Sequence, residues 1–99
     1  MIDITTDELK ERMDKGEKLV VIDVRELHEF EEFNIGAKLI PLGEFVAQIP
    51  TLMPYQNDEI IIHCRSGARS NQAKMLLEDA GFTQVRNLLG GMLDWQSKF

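Results

Sequence analysis

The chain has one cysteine, Cys64, and it stands where a thiol can be made reactive. Ahead of it runs Ile60-Ile61-Ile62-His63, an apolar stretch of strand type. Behind it runs Arg65-Ser66-Gly67-Ala68-Arg69-Ser70, with small residues at 66, 67, 68 and 70. Small residues let the backbone curl so that successive N–H groups point inward and form a nest for an anion. A helix beginning near Ser70 adds roughly half an elementary positive charge at its N-terminus. Arg65 and Arg69 add formal charge on either side. All of these favour the thiolate. An ordinary cysteine has a pKa of about 8.5, and cationic surroundings at a helix N-terminus lower it to roughly 3.5–7.5. A thiolate so placed is a nucleophile. The same nest can hold an anionic donor or a persulfide, and it stabilises charge with little reorganisation. The competing role for a lone cysteine at a strand end is that of a small hydrophobe. An inert cysteine has no use for two arginines and a nest-forming loop.

Other polar residues carry less chemistry. Asp23 and Arg25 come after an apolar run, Leu19 to Ile22. They either pair with each other to fix the next loop or line the site, with Arg25 facing an anionic donor. His63 adjoins Cys64, but on a strand its side chain points to the opposite face, which argues against a base role. His28 lies in an acidic run with Glu26, Glu29, Glu31 and Glu32. That pattern reads as a solvated face, and a metal site needs tighter ligand geometry. Gly90-Gly91 reads as a tight turn near the mouth of the site.

These residues need a scaffold that brings strand ends together. The pattern predicts helices over 6–15, 27–32, 44–49, 70–80 and 92–96, with strands over 19–22, 38–41, 59–63 and 84–88. Thr5 and Glu8 form a capping-box pair for the first helix. Pro50 is expected to end the third, because the residue before a proline disfavours helical backbone. Ala73, Leu76, Leu77 and Ala80 give the fourth a core-facing stripe. Alternating strands and helices imply an α/β fold: a central, mostly parallel sheet of about four to five strands with helices on both faces. In such sheets ligands collect at the C-terminal ends of strands, where Cys64 falls.

Bulk properties set the frame. A chain of 99 residues fits one domain, spanning 1–99. Hydrophobic residues make up 43%, enough for a core rather than disorder. The formal charge of −6 argues against nucleic acid and anionic membrane as partners. Any anionic ligand must then be held by a local field opposing the global one. One cysteine cannot form an internal disulfide, which points to a reducing, cytoplasmic location. No run approaches the ~18 apolar residues of a membrane span, and the N-terminal stretch does not read as a targeting segment.

The segment Cys64-Arg65-Ser66-Gly67-Ala68-Arg69-Ser70 resembles the active-site loop of rhodanese domains. Val21-Ile22-Asp23-Val24-Arg25-Glu26 resembles the family's first-strand signature, and Glu29-Phe30, Gly36-Ala37 and Ile40-Pro41-Leu42 resemble the family's next stretch. Leu89-Gly90-Gly91 with Trp95 resembles the C-terminal signature. The fragments come in the family's order and span nearly the whole chain. The resemblance implies transfer of a sulfane sulfur from an anionic donor such as thiosulfate to a thiophilic acceptor. That acceptor is cyanide, a thiol or a protein sulfur acceptor. Cys64 matches the cysteine that becomes the persulfide. The backbone from Arg65 through Ser66, Gly67, Ala68 and Arg69 to Ser70 matches the anion cradle, and no metal or organic cofactor is implied. Spacing separates this chemistry from its neighbours. Cys64 to Arg69 is Cys-x4-Arg, whereas related phosphatases and arsenate reductases use a loop one residue longer, wide enough for a tetrahedral oxyanion. A non-catalytic binding module on the same fold is the other alternative, and such modules often lack the cysteine. Phe33-Asn34-Ile35-Gly36-Ala37 departs from the family's usual Gly-His-Ile-x-Gly-Ala. It is one residue shorter and has neither the first glycine nor the histidine.

Overall fold

The computed structural model describes residues 2–99. Four strands, β1 (Val20–Asp23), β2 (Lys38–Leu39), β3 (Glu59–His63) and β4 (Gln84–Asn87), form one sheet in the order β2-β1-β3-β4. All three pairings are parallel. A parallel bridge between Ile4 and Leu88 prolongs the β4 edge toward the N-terminal segment. The described residues form five α-helices, α1 (Thr6–Asp14), α2 (Leu27–Glu32), α3 (Leu42–Leu52), α4 (Ala68–Asp79) and α5 (Gly91–Lys98), of which α2, α3 and α4 connect successive strands, α1 precedes β1 and α5 follows β4.

Side chains alternate across a strand, and here the two faces build two cores. Ile22, Val24, Ile60, Ile62, Cys64 and Val85 point to one face, where Phe45 and Leu52 of α3 and Ala73 and Leu77 of α4 cover them. Ile61 and Leu88 point to the other, against Leu9 of α1 and Met92 and Trp95 of α5. A strand covered on both sides must be apolar throughout, which is why Ile60-Ile61-Ile62 is unbroken. The register sets Asp23 beside His63 and Ile62 beside Asn87, so the functional ends of three strands lie together.

Several boundaries lie one to three residues from the sequence expectation, β2 stopping at Leu39 and α5 reaching Lys98 among them, and two of the departures have structural consequences. Pro50 does not stop α3, which runs on to Leu52 and into a 3-10 turn at Met53–Tyr55. Leu52 is fully buried in line with Phe45 and half-buried Ile49, and this burial offsets the N–H that Pro50 lacks. Helix α4 starts at Ala68, not Ser70, because Gly67 takes a left-handed conformation (φ 107°) as its N-cap. The helix therefore begins inside the loop after Cys64, and its first N–H groups belong to the site. The segment that departs from the family pattern is pinned locally. Asn34 Nδ2 donates to the Phe30 carbonyl, and Gly36 N–H donates to Asn34 Oδ1.

Candidate active site

Cys64 comes directly after the last residue of β3 and is almost wholly buried, with 1% of its surface exposed. Its sulfur lies in a ring of donors. Gly67 N–H is 3.1 Å from Sγ, Ser70 N–H 3.4 Å and the Ser70 hydroxyl 3.4 Å. Burial pushes the thiol up. The Ser70 hydroxyl and the N–H groups of Ser70, Gly67 and Ser66 pull it down more strongly, and the net result lies below the ordinary thiol range. Hydrogen bonds to the charged form favour that form. Of the six positions expected to form the cradle, Ser66, Gly67 and Ser70 direct groups at the sulfur, and the side chains of the six differ in placement. Arg65, Ser66 and Ala68 form an exposed rim, whereas Ser70 is buried.

The loop's carbonyls must point outward for its N–H groups to point inward. Helix α5 supplies their partners. Met92 N–H donates to the Cys64 carbonyl at 3.0 Å and Leu93 N–H to the Arg65 carbonyl at 2.9 Å. These are N–H groups of the first turn of α5, which have no partner inside the helix. The two chains approach so closely that Gly91 cannot carry a side chain. A Cβ there would lie 2.5 Å from the Cys64 carbonyl oxygen and 2.6 Å from that of Arg65. The Gly90-Gly91 turn thus positions the Cys64 loop from behind.

Asn87, at the end of β4, holds the other side. Its Nδ2 donates to the Gly67 carbonyl at 3.1 Å, and its Oδ1 accepts from the Ser70 hydroxyl at 2.5 Å. The sequence contained one indirect signal for it. Alternation from Val85 puts Asn87 on the Cys64 face of the neighbouring strand, a buried amide at a strand end.

The arginines divide by partner. Arg69 forms a two-pronged pair with Glu29 of α2, at 2.7 and 3.0 Å. That bond, resisted by burial and helped by Glu26 N–H, holds the Glu29 carboxyl at about 2. Arg25 is buried and forks onto Asp23, with Nε 3.0 Å from Oδ1 and Nη2 2.7 Å from Oδ2. It also donates to the carbonyls of Glu29 and Phe33. The fork is the ion pair that fixes the loop after β1, and the same side chain also lines the cavity beside the Cys64 loop, so the two roles open to Arg25 in the sequence do not exclude each other. Arg65 is exposed and makes no hydrogen bond or ion pair among the described residues. It is the loop's free cation.

A cavity of about 210 Å³ opens beside the loop, lined by Arg25, Glu29, Glu32, Phe33, Arg65, Met92, Leu93 and Gln96. A larger hollow of about 450 Å³ lies at the N-terminal ends of the strands, near Met13, Leu19 and Tyr55. Its walls contain no cysteine or histidine, so size does not mark the chemistry here. His63 points to the face opposite Cys64, fully buried, with neither ring nitrogen hydrogen-bonded. Burial, opposed by the nearby Asp23 charge, brings it down to about 4. A neutral, sequestered imidazole cannot reach the sulfur as a base.

Comparison with known proteins identifies the chain's relatives. Residues 5–98 match the family described as Rhodanese-like domain. A putative sulfur carrier protein of Bacillus subtilis, YrkF, is 40% identical over 97% of this chain. This chain spans about half of that relative's length, 51%. Thiosulfate sulfurtransferase PspE of Escherichia coli is 39% identical over 74% of this chain and 70% of its own. The crystal structure of a rhodanese-like domain protein from Staphylococcus aureus superposes with a TM-score of 0.79 at 35% identity, covering 96% of this chain and 91% of that one.

Proposed function

This chain belongs to the rhodanese-like domain family, and on that premise we propose that it moves a sulfane sulfur from an anionic donor such as thiosulfate to a thiophilic acceptor through a persulfide on Cys64. One observation carries the reading: the only sulfur nucleophile of the chain lies inside a ring of inward-pointing N–H groups at a strand end. Such a ring favours the thiolate before the donor binds and the persulfide anion afterwards.

The step balances without a redox partner. The Cys64 thiolate attacks the outer sulfur of thiosulfate and forms an S–S bond. The bond between that sulfur and the sulfonate breaks, and sulfite leaves with the electron pair. The cradle then holds a persulfide anion. An acceptor thiolate, or cyanide, attacks the outer sulfur, and Cys64 leaves as the thiolate with which it began. Arg65, exposed and unpaired at the rim, supplies local positive charge for an anionic donor on a chain of net charge −6. The relatives named thiosulfate sulfurtransferase and putative sulfur carrier protein support the two halves of this cycle, loading and delivery. The loop's shorter spacing, Cys64 to Arg69, favours one added sulfur over a substrate-bound oxyanion. No helix among the described residues is long and apolar enough to cross a membrane. A single free thiol used as a nucleophile fits a reducing compartment such as the cytoplasm.

Intact-mass measurement after thiosulfate treatment tests the proposal. The expected result is the gain of one sulfur atom, released by cyanide as thiocyanate and abolished by Cys64→Ser. A chain that stays at its native mass with every donor class offered, or that loads sulfur equally well as Cys64→Ser, sinks the reading.

A further inference from the structure

The Ser70 hydroxyl has one proton and two neighbours that could take it. Asn87 Oδ1 is 2.5 Å away and Cys64 Sγ 3.4 Å away. Which way the Asn87 amide faces is fixed by the third contact. The Gly67 carbonyl can only accept, so the group 3.1 Å from it must be the amide N–H. Oδ1 therefore faces Ser70, and only the Ser70 proton can bridge that gap. The backbone of Asn87 is held on both sides as well. Its N–H donates to the Asp3 carboxylate at 2.9 Å, and its carbonyl accepts from Ile4 N–H at 3.0 Å. Asn87 is thus a rigid, buried acceptor beside a rotatable hydroxyl.

We propose that Asn87 is a positioning residue that parks the Ser70 hydroxyl proton while Cys64 is a thiol and yields it to the sulfur when the sulfur carries charge. With the hydroxyl donating to Asn87 Oδ1, the Ser70 oxygen presents a lone pair to the cysteine and accepts from S–H. When Cys64 ionises, the hydroxyl turns and donates to the thiolate, and Asn87 Oδ1 loses its partner. The rotation changes no bond and needs no reagent. Its consequence is that Asn87 acts against the thiolate, through Ser70, while its amide N–H keeps the Gly67 cradle closed. The site then holds a sulfur that ionises readily but is not locked in one charge state. That property suits a residue alternating between thiolate, persulfide and thiolate again.

This inference rests on Cys64 as the reactive sulfur, but its test needs no sulfur donor. The chain has one cysteine, so the pH dependence of iodoacetamide alkylation, monitored by intact mass, reports Cys64 alone. The measurement is a double-mutant cycle of Asn87→Leu and Ser70→Ala. Losing a competitor for one neutral hydrogen bond lowers the alkylation midpoint by roughly half to one pH unit. That is roughly a three- to tenfold faster reaction on the acid side. The shift is expected with Ser70 present and absent on the Ser70→Ala background. Asn87→Ala, which is smaller, gives the same comparison if the leucine variant does not fold. Equal shifts on both backgrounds, or an upward shift with Ser70 present, overturn the proposal. Failure of thiosulfate loading would leave this result standing, and an additive cycle would leave the sulfur-transfer reading untouched.

Discussion

Gly91→Ala is the substitution that most directly tests how the Cys64 loop is held. The three atoms nearest a Cβ at this position are all backbone: the carbonyl oxygens of Cys64 at 2.5 Å and Arg65 at 2.6 Å, and the Arg65 carbonyl carbon at 2.7 Å. No flexible side chain can swing aside, so the loop and α5 must separate by roughly half an ångström. The bonds from Met92 and Leu93 N–H to those carbonyls weaken with the separation. Two hydrogen bonds at about 1 kcal/mol each, with about 1–2 kcal/mol for a left-handed alanine at φ 54°, give a loss of roughly 3–4 kcal/mol. Gly16→Ala is the control. Its φ is 76°, but nothing lies within 4 Å of the added carbon, so only the backbone cost of about 1–2 kcal/mol applies. Urea unfolding reads the stability difference. Thiosulfate loading reads the site, and a loop displaced on this scale costs on the order of tenfold in rate, whereas the Gly16 variant keeps the native rate. If Gly91→Ala matches Gly16→Ala in both measurements, the idea that α5 positions the loop is wrong.

Charge sets two further outcomes. His63 sits at about 4 in the fold against an ordinary 6.5, so folding favours its neutral form. Its contribution is fully present above about pH 6.5 and is lost as pH falls toward 4, a drop of about 2 kcal/mol between pH 7 and about pH 5. His63→Phe fills the same buried site and removes no hydrogen bond. Chemical denaturation should show that drop in the native chain and a flat response in the variant. The lowered carboxyls Asp3, Glu29 and Glu59 titrate below this window. Arg65→Ala should raise the KM for thiosulfate roughly three- to tenfold and leave kcat nearly unchanged, because an exposed charge steers the anion without touching the reacting sulfur. Added salt should shrink the gap between native and variant. A kcat collapse with an unmoved KM would instead place Arg65 in the chemical step.

Much of the site was legible in the order of residues alone. Cys64, the curling segment behind it and the apolar strand ahead of it are contiguous, and contiguous chemistry can be read along a chain. Alternation on β3 was enough to turn His63 away from Cys64, because strand period is a local property. The alternation of strand and helix patterns along the chain implied a mostly parallel sheet, again from local signals. Tertiary structure decided which partner each charge took. Arg69 and Glu29 lie 40 positions apart, and nothing in their spacing says that α2 folds back over α4. Arg25 faced two roles in the sequence, and the buried Asp23 carboxylate, two residues away, takes its fork. Pro50 lost to the burial of Leu52, a packing term invisible to a local rule. Asn87 and Gly91 are the clearest cases. Each acts on the loop across 20 or more positions, through a hydrogen bond or a backbone contact that exists only once β4 and α5 are in place. The sequence by itself determined that Cys64 would stand at a strand end, ahead of a small-residue loop whose N–H groups favour its thiolate. The tertiary structure determined what faces that sulfur and what keeps the loop around it closed, because side-chain identity travels with the chain whereas proximity is created by folding.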